Sequence, residues 1–130
     1  MHLIHLADYG GPYAGSFVPM LLAVGTEATA RGWQFEVVFS PISEGKPWLP
    51  LLKDYPVNFI SKPDAYRYLK KSIDGKTVLH SHFSGFDATA AALARDLTGG
   101  RTYWHAHSAL PRKLRAQCRN DLCVRWAGRG

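Results

Sequence analysis

Apolar residues in this chain come in short clusters separated by glycine, proline and polar punctuation, and the periodicity alternates between that of a strand and that of a helix. Residues 2–7, HLIHLA, stop at Asp8 and a glycine-rich stretch, DYGGPYAGS, which predicts a buried strand followed by a loop. Ser16 can cap a helix from Phe17 that tolerates Pro19 in its first turn and sets Phe17, Leu21, Val24 and Ala28 on one side. Gly25 weakens that helix and Gly32 ends it. Residues 33–39, WQFEVVF, read as a second strand. A loop with Pro41, Gly45 and Pro47 leads to a short apolar helix, WLPLLKDY, and then to a third strand, VNFI. Lys62-Pro-Asp opens a polar helix over roughly 64–73 that Gly75 closes, and KTVLHSHF, 76–83, is the fourth strand. Ser84 and Asp87 form a capping box for an alanine-rich helix ending at Gly99-Gly100. RTYWHAHS, 101–108, is the fifth strand, and Pro111 starts a last, basic helix.

Strands alternate with helices, and no Asn-Gly or Asp-Gly hairpin signal joins two of them. The expected fold class is therefore α/β, a Rossmann-like parallel sheet with helices on both faces. A length of 130 residues suits one domain, and 46% hydrophobic with 20% charged residues is globular composition. No apolar run approaches the roughly 20 residues that span a bilayer, and MHLIHLAD lacks a cationic leader. Cys118 and Cys123 fit neither a redox pair nor a zinc-ligand spacing. A soluble protein of a reducing cytoplasm is the expectation.

The net charge of +6 is unevenly placed. Nine Lys/Arg cancel nine Asp/Glu up to Gly100, and the last thirty residues carry seven basic side chains against Asp121 alone. Leu114, Cys118 and Leu122 follow helical spacing within that stretch, so the 111–126 helix is amphipathic and basic. It shows no nucleic-acid motif; an anionic membrane surface and a solvated helix on its own sheet are the readings left open.

Ligands bind outside the carboxyl ends of strands in an open parallel sheet. The first strand ends there in the glycine loop. Its Gly10 to Ser16 spacing resembles a phosphate loop, but the lysine expected after Gly15 is replaced by Ser16, and Pro12 occupies the second glycine of the dinucleotide pattern. A loop that lets backbone approach a ligand, before a helix N-terminus favouring anions, is one reading; a merely tight turn is the other. The fourth and fifth strands end in His80-Ser-His82 and His105-Ala-His107, each pair on one face of its strand. These histidines can bond backbone, can bind or act on a polar ligand, or can hold a metal. The metal reading is the least favoured, because an HxH barrel hydrolase needs about 200 residues or more and Asp87, the nearest carboxylate, serves as a cap. No metal and no cofactor are expected.

The segments HLADYGGPYAGSFVPML, VLHSHFSGFDATAAALA and YWHAHSALPRKLRA, in this order, resemble the N-terminal domain of family 4 glycosyltransferases. The resemblance covers nearly the whole chain, with little signal over 41–75. It implies one half of a GT-B fold, in which two Rossmann-like domains face each other across a cleft. By resemblance, Gly10, Gly11, Gly15 and Ser16 face the donor diphosphate and acceptor. His107, better than His105, contacts the transferred sugar as the catalytic residue, and His82, Ser84 and His105 border the acceptor pocket. The resemblance implies a glycan or lipid-linked acceptor, and it sets the 111–126 helix where such enzymes approach the inner membrane face. In that family an Arg/Lys pair and a Glu-x7-Glu motif belong to the C-terminal, donor-binding domain, and that domain is expected to be absent here. The expectation is an acceptor-side half, whether fragment, truncated reading frame or subunit, that uses a nucleotide sugar only with a C-terminal domain. A lone Rossmann-like module binding a sugar, lipid head group or nucleotide is the alternative. A half-cleft would also leave apolar surface for self-association, with Trp48 and Trp126 as candidates.

Overall fold

The structure, a computed structural model, describes residues 1–96 and 101–105. Five strands form one sheet: β1 (His2–Ala7), β2 (Gln34–Phe39), β3 (Val57–Phe59), β4 (Thr77–His82) and β5 (Arg101–His105). Their order is β3-β2-β1-β4-β5, and every neighbouring pair is parallel. The described helices are α1 (Phe17–Ala30), α2 (Lys62–Ser72) and α3 (Asp87–Asp96). This is the Rossmann-like α/β arrangement that the alternation of elements predicts. β1 lies at the centre, and the direction of winding reverses between it and β4.

Strand periodicity of two sorts the core into two layers. Ile4, Leu6, Val38 and Leu79 point to one face and pack against Ala65 and Leu69 of α2 and Ala90 and Leu93 of α3. Ala7, Phe35, Val37 and Phe39 point to the other, beneath Phe17, Val18, Leu21 and Ala28 of α1. Because the central strands are covered on both sides, they read as nearly continuous apolar runs.

Several local details depart from the sequence expectations. Gly25 is buried in α1, where an added Cβ would sit 2.7 Å from Cζ of Tyr55 and 3.0 Å from Cε1 of Phe35. What reads as a weak point is a place where the helix approaches two aromatic rings. The helix expected in WLPLLKDY is a 3-10 turn, Leu49–Leu52, because Pro50 lacks a donor and Pro56 turns the preceding residue away from helical geometry. Trp48, expected as exposed apolar surface, is buried against Phe39, their ring centroids 5.3 Å apart; Trp126 lies outside the described residues. α2 starts at Lys62, with Pro63 in its first turn. Ser84 opens a 3-10 turn, Ser84–Phe86, and α3 follows from Asp87, whose Oδ1 accepts a 3.4 Å bond from Ser81 Oγ. No helix among the described residues is long and apolar enough to cross a membrane.

Candidate functional site

The carboxyl ends of β1 and β4 lie side by side, with Ala7 in register with His82. The chain leaves β1 through Asp8, and three other elements converge on that carboxylate. Ser40, just after β2, donates its hydroxyl to Oδ1 at 2.5 Å, and Lys62, at the start of α2, places Nζ 2.7 Å from Oδ2. Gly85, in the turn after β4, backs onto the same side chain with no room for a Cβ. Burial alone would raise the Asp8 pKa; the hydrogen bonds from Lys62 and Ser40, with the ammonium charge, reverse that and hold it below the ordinary carboxylate value. Asp8 is thus an ionised, paired group tying together the ends of four strands. Nothing local in the sequence marks it beyond its place as the first residue past β1.

The glycine loop is folded onto an aromatic cluster. The Tyr9 ring stacks on Phe83 at 5.3 Å and meets Phe17 at 5.0 Å and Trp48 at 5.4 Å. Its hydroxyl donates to the Tyr13 carbonyl at 2.8 Å, its own carbonyl accepts from Ser43 Oγ at 2.8 Å, and Trp48 Nε1 donates to the Gly11 carbonyl at 2.9 Å. A Cβ on Gly11 would lie 2.7 Å from the Tyr9 hydroxyl, and Gly15 takes φ +56°, so both positions call for glycine. A Cβ on Gly10 would press only on the flexible tip of Ile42. Ser16 occupies the N-cap position of α1 but makes no capping bond with its side chain, in contrast to the cap expected of it. Tyr13, 80% exposed, stands out from this loop into solvent.

At the end of β4, Phe83 adopts φ +61°. A non-glycine residue pays roughly 1–2 kcal/mol for this conformation, and here packing holds it: the ring also meets Phe17 edge-on at 5.0 Å. His82 lies fully buried, so its imidazole presents no open surface at the sheet edge. It shares a 2.7 Å hydrogen bond with Nδ1 of His5, a residue that the apolar pattern places simply within the first strand. His5 is 1% exposed, and its pKa falls from 6.5 to about 3, first through burial and then through the neighbouring His80. It is a neutral imidazole at pH 7. The signal for it is the register: β1 and β4 are parallel neighbours, and His5 pairs with His80.

The other expected site residues distribute as follows. The backbone of Ser84 stands in the 3-10 turn beside Phe83, and His105 is the register partner of His82 across β4 and β5. His107 and the basic 111–126 segment lie outside the described residues. The structure therefore brings the glycine loop, the end of β4 and the end of β5 to one edge of the sheet. Gly10, Gly11 and Gly15 give that edge a close-packed rim, while the imidazoles of His5 and His82 lie below it. Such an edge can hold and orient a ligand. No family model, curated protein or solved structure matches the chain.

Proposed function

We propose that this domain is the acceptor-side half of a sugar transferase of the GT-B type. A second Rossmann-like domain would hold the nucleotide sugar, and a glycan or lipid-linked acceptor would lie on the glycine-loop edge. The observation that carries this reading is the adjacency of the 8–16 loop and the HSHFSGFD end of β4 at the point where the winding of the sheet reverses. That is where ligands of open parallel sheets bind, and these are two of the three segments that resemble family 4 glycosyltransferases. The exposed Tyr13 ring offers an apolar platform for the face of a sugar. Catalysis in such a cleft is mainly positioning and stabilisation of the leaving diphosphate, so one wall alone supplies little of it. His107 is the residue proposed to contact the transferred sugar, and the basic 111–126 segment is proposed to meet anionic lipid at the inner membrane face.

Two experiments test this. Amide chemical shifts of the full chain, titrated with a polyprenyl-phosphate sugar in micelles and separately with nucleotide sugars, are expected to move at Gly10, Gly11, Gly15 and Ser16 with the first and barely with the second. Tight binding of a nucleotide sugar and none of the acceptor would instead favour the lone binding module. Joined to the donor domain of a GT-B transferase, the chain is expected to transfer sugar. There His107→Ala lowers kcat by about tenfold or more, and Tyr13→Ala raises the acceptor KM. Transfer indifferent to His107→Ala would overturn its assignment.

A further inference from the structure

On the face of the sheet covered by α1, His5, His80 and His82 each bring a ring nitrogen within 4.8 Å of the other two. We propose that these three imidazoles form a binding site for a divalent transition metal of the zinc class. This site shares the end of β4 with the proposed acceptor edge and lies beneath it, and the inference does not depend on the sugar-transferase reading.

Strand register brings the three histidines together. His5 of β1 stands directly beside His80 of β4, and His82 follows two residues along on the same face. Parallel strands keep such neighbours close; the ring centroids are 4.9 Å apart for His5–His80, 4.9 Å for His5–His82 and 4.0 Å for His80–His82. Three imidazoles converging from two rigid strands match the donor type and number of a zinc site built from three histidines, leaving one tetrahedral position for water or a ligand group. Two of the three are fully buried, so their orientation is set by packing, while the half-buried His80 gives the ion a way in.

Nε2 of His5 is buried and has no hydrogen-bond partner among the described residues, which leaves Nδ1 as the nitrogen of that ring that faces a neighbouring imidazole. The 2.7 Å contact between His5 Nδ1 and His82 Nε2 needs a proton on one of the two. A metal displaces it: if His5 carries the proton, it moves to Nε2, and if His82 carries it, to Nδ1. Both rings stay neutral and both facing lone pairs become ligands. At Zn–N distances of about 2.0–2.1 Å, tetrahedral ligand nitrogens lie about 3.3 Å apart. The His5–His82 pair therefore opens slightly on binding, and the third nitrogen closes in. The ion would bridge β1 to β4 directly below the carboxyl edge, where the ordering of Phe83 and the glycine loop begins.

The test uses the full chain, stripped with chelator, and cobalt(II) or zinc(II) alone as probe. One cobalt per chain is expected, with the intense visible absorption of a tetrahedral site, displaced by zinc. His80→Ala, at the most accessible position, and His5→Phe, which keeps the layer filled, are each expected to weaken binding by about tenfold or more. His2→Ala, on a histidine paired instead with Glu36 at 3.3 Å, should leave it unchanged. Should either cluster variant fail to fold, nitrogen-15 shifts of the imidazoles in the unaltered chain decide the matter, because zinc must move the signals of His5, His80 and His82. Absence of stoichiometric binding, octahedral cobalt only, or zinc shifts confined to other histidines would each overturn the proposal.

Discussion

The two faces of the sheet are built by the same strands and differ in chemistry. Under α2 and α3 lies a mainly aliphatic layer of Ile4, Leu6, Val38, Leu69 and Leu79, which also takes in Phe86. Under α1 the layer is aromatic and partly polar: it holds Phe17, Phe35, Phe39 and Trp48 together with the imidazoles of His5, His80 and His82, Phe35 meeting His5 and Phe17 meeting His82 edge-on. Burying a neutral imidazole costs free energy unless its nitrogens find partners, whereas burying a leucine gains it. Both faces are cohesive, and the imidazoles, with the candidate chemistry, lie on the α1 face, which also carries Tyr9 and Phe83 up to the glycine loop.

The largest expected effect strikes the aliphatic face. Leu79→Ala should cost about 2–5 kcal/mol of unfolding free energy in urea, since it removes a fully buried side chain between two helices and the sheet. A loss below about 1 kcal/mol would place the stabilising core elsewhere.

The imidazole face should announce itself in the pH dependence of the metal-free chain. His5 titrates near 6.5 when unfolded and near 3 when folded, so between those values the unfolded state binds more protons and stability falls as pH falls. The slope approaches about 1.4 kcal/mol per pH unit from this group at most, and the contribution is fully present above pH 6.5. His5→Phe should flatten the curve in that window; an unchanged slope would show that His5 is not held neutral.

At the carboxyl edge, where the two layers meet, Gly85→Ala should destabilise the chain by about 1–3 kcal/mol through collision with Asp8. Both the carboxylate and the Cβ of Asp8 obstruct the new methyl group. Asp8→Gly should therefore recover part of the loss in a double-mutant cycle, and Asp8→Ala should not. Equal rescue by both would mean that electrostatics, not close approach, governs the contact.

The smallest effect is expected at Ser16. A working N-cap is worth about 1 kcal/mol, but this side chain makes no capping bond, so Ser16→Ala should change thermal stability by less than about 0.5 kcal/mol. A larger loss would restore the cap that the Ser-Phe boundary predicts.

Much of the fold was legible because strand and helix periodicities are local properties of the chain. The strands, α1 and the alternation that implies a parallel sheet follow from apolar spacing and glycine placement alone. The boundaries that moved are those where proline or close packing overrides propensity: the turn at Leu49–Leu52, the start of α2 and the short turn before α3. In the candidate site, the glycine loop and the His80 and His82 pair were visible as motifs. Asp8 and His5 were not, because each matters through residues more than thirty positions away: Ser40 and Lys62 in one case, His80 and His82 in the other.

Covalent order along the chain thus carries the class of the domain, the glycine and histidine motifs at its strand ends and the basic character of the last thirty residues. Strand order and register were settled only when β4 took its place beside β1 rather than beside β3. The physical reason is that side chains on one strand meet partners chosen by the neighbouring strand, and sequence spacing within a strand says nothing of that choice. Through it, a core histidine became one corner of an imidazole cluster, and an aspartate ending a strand became the knot that ties the carboxyl edge of the sheet together.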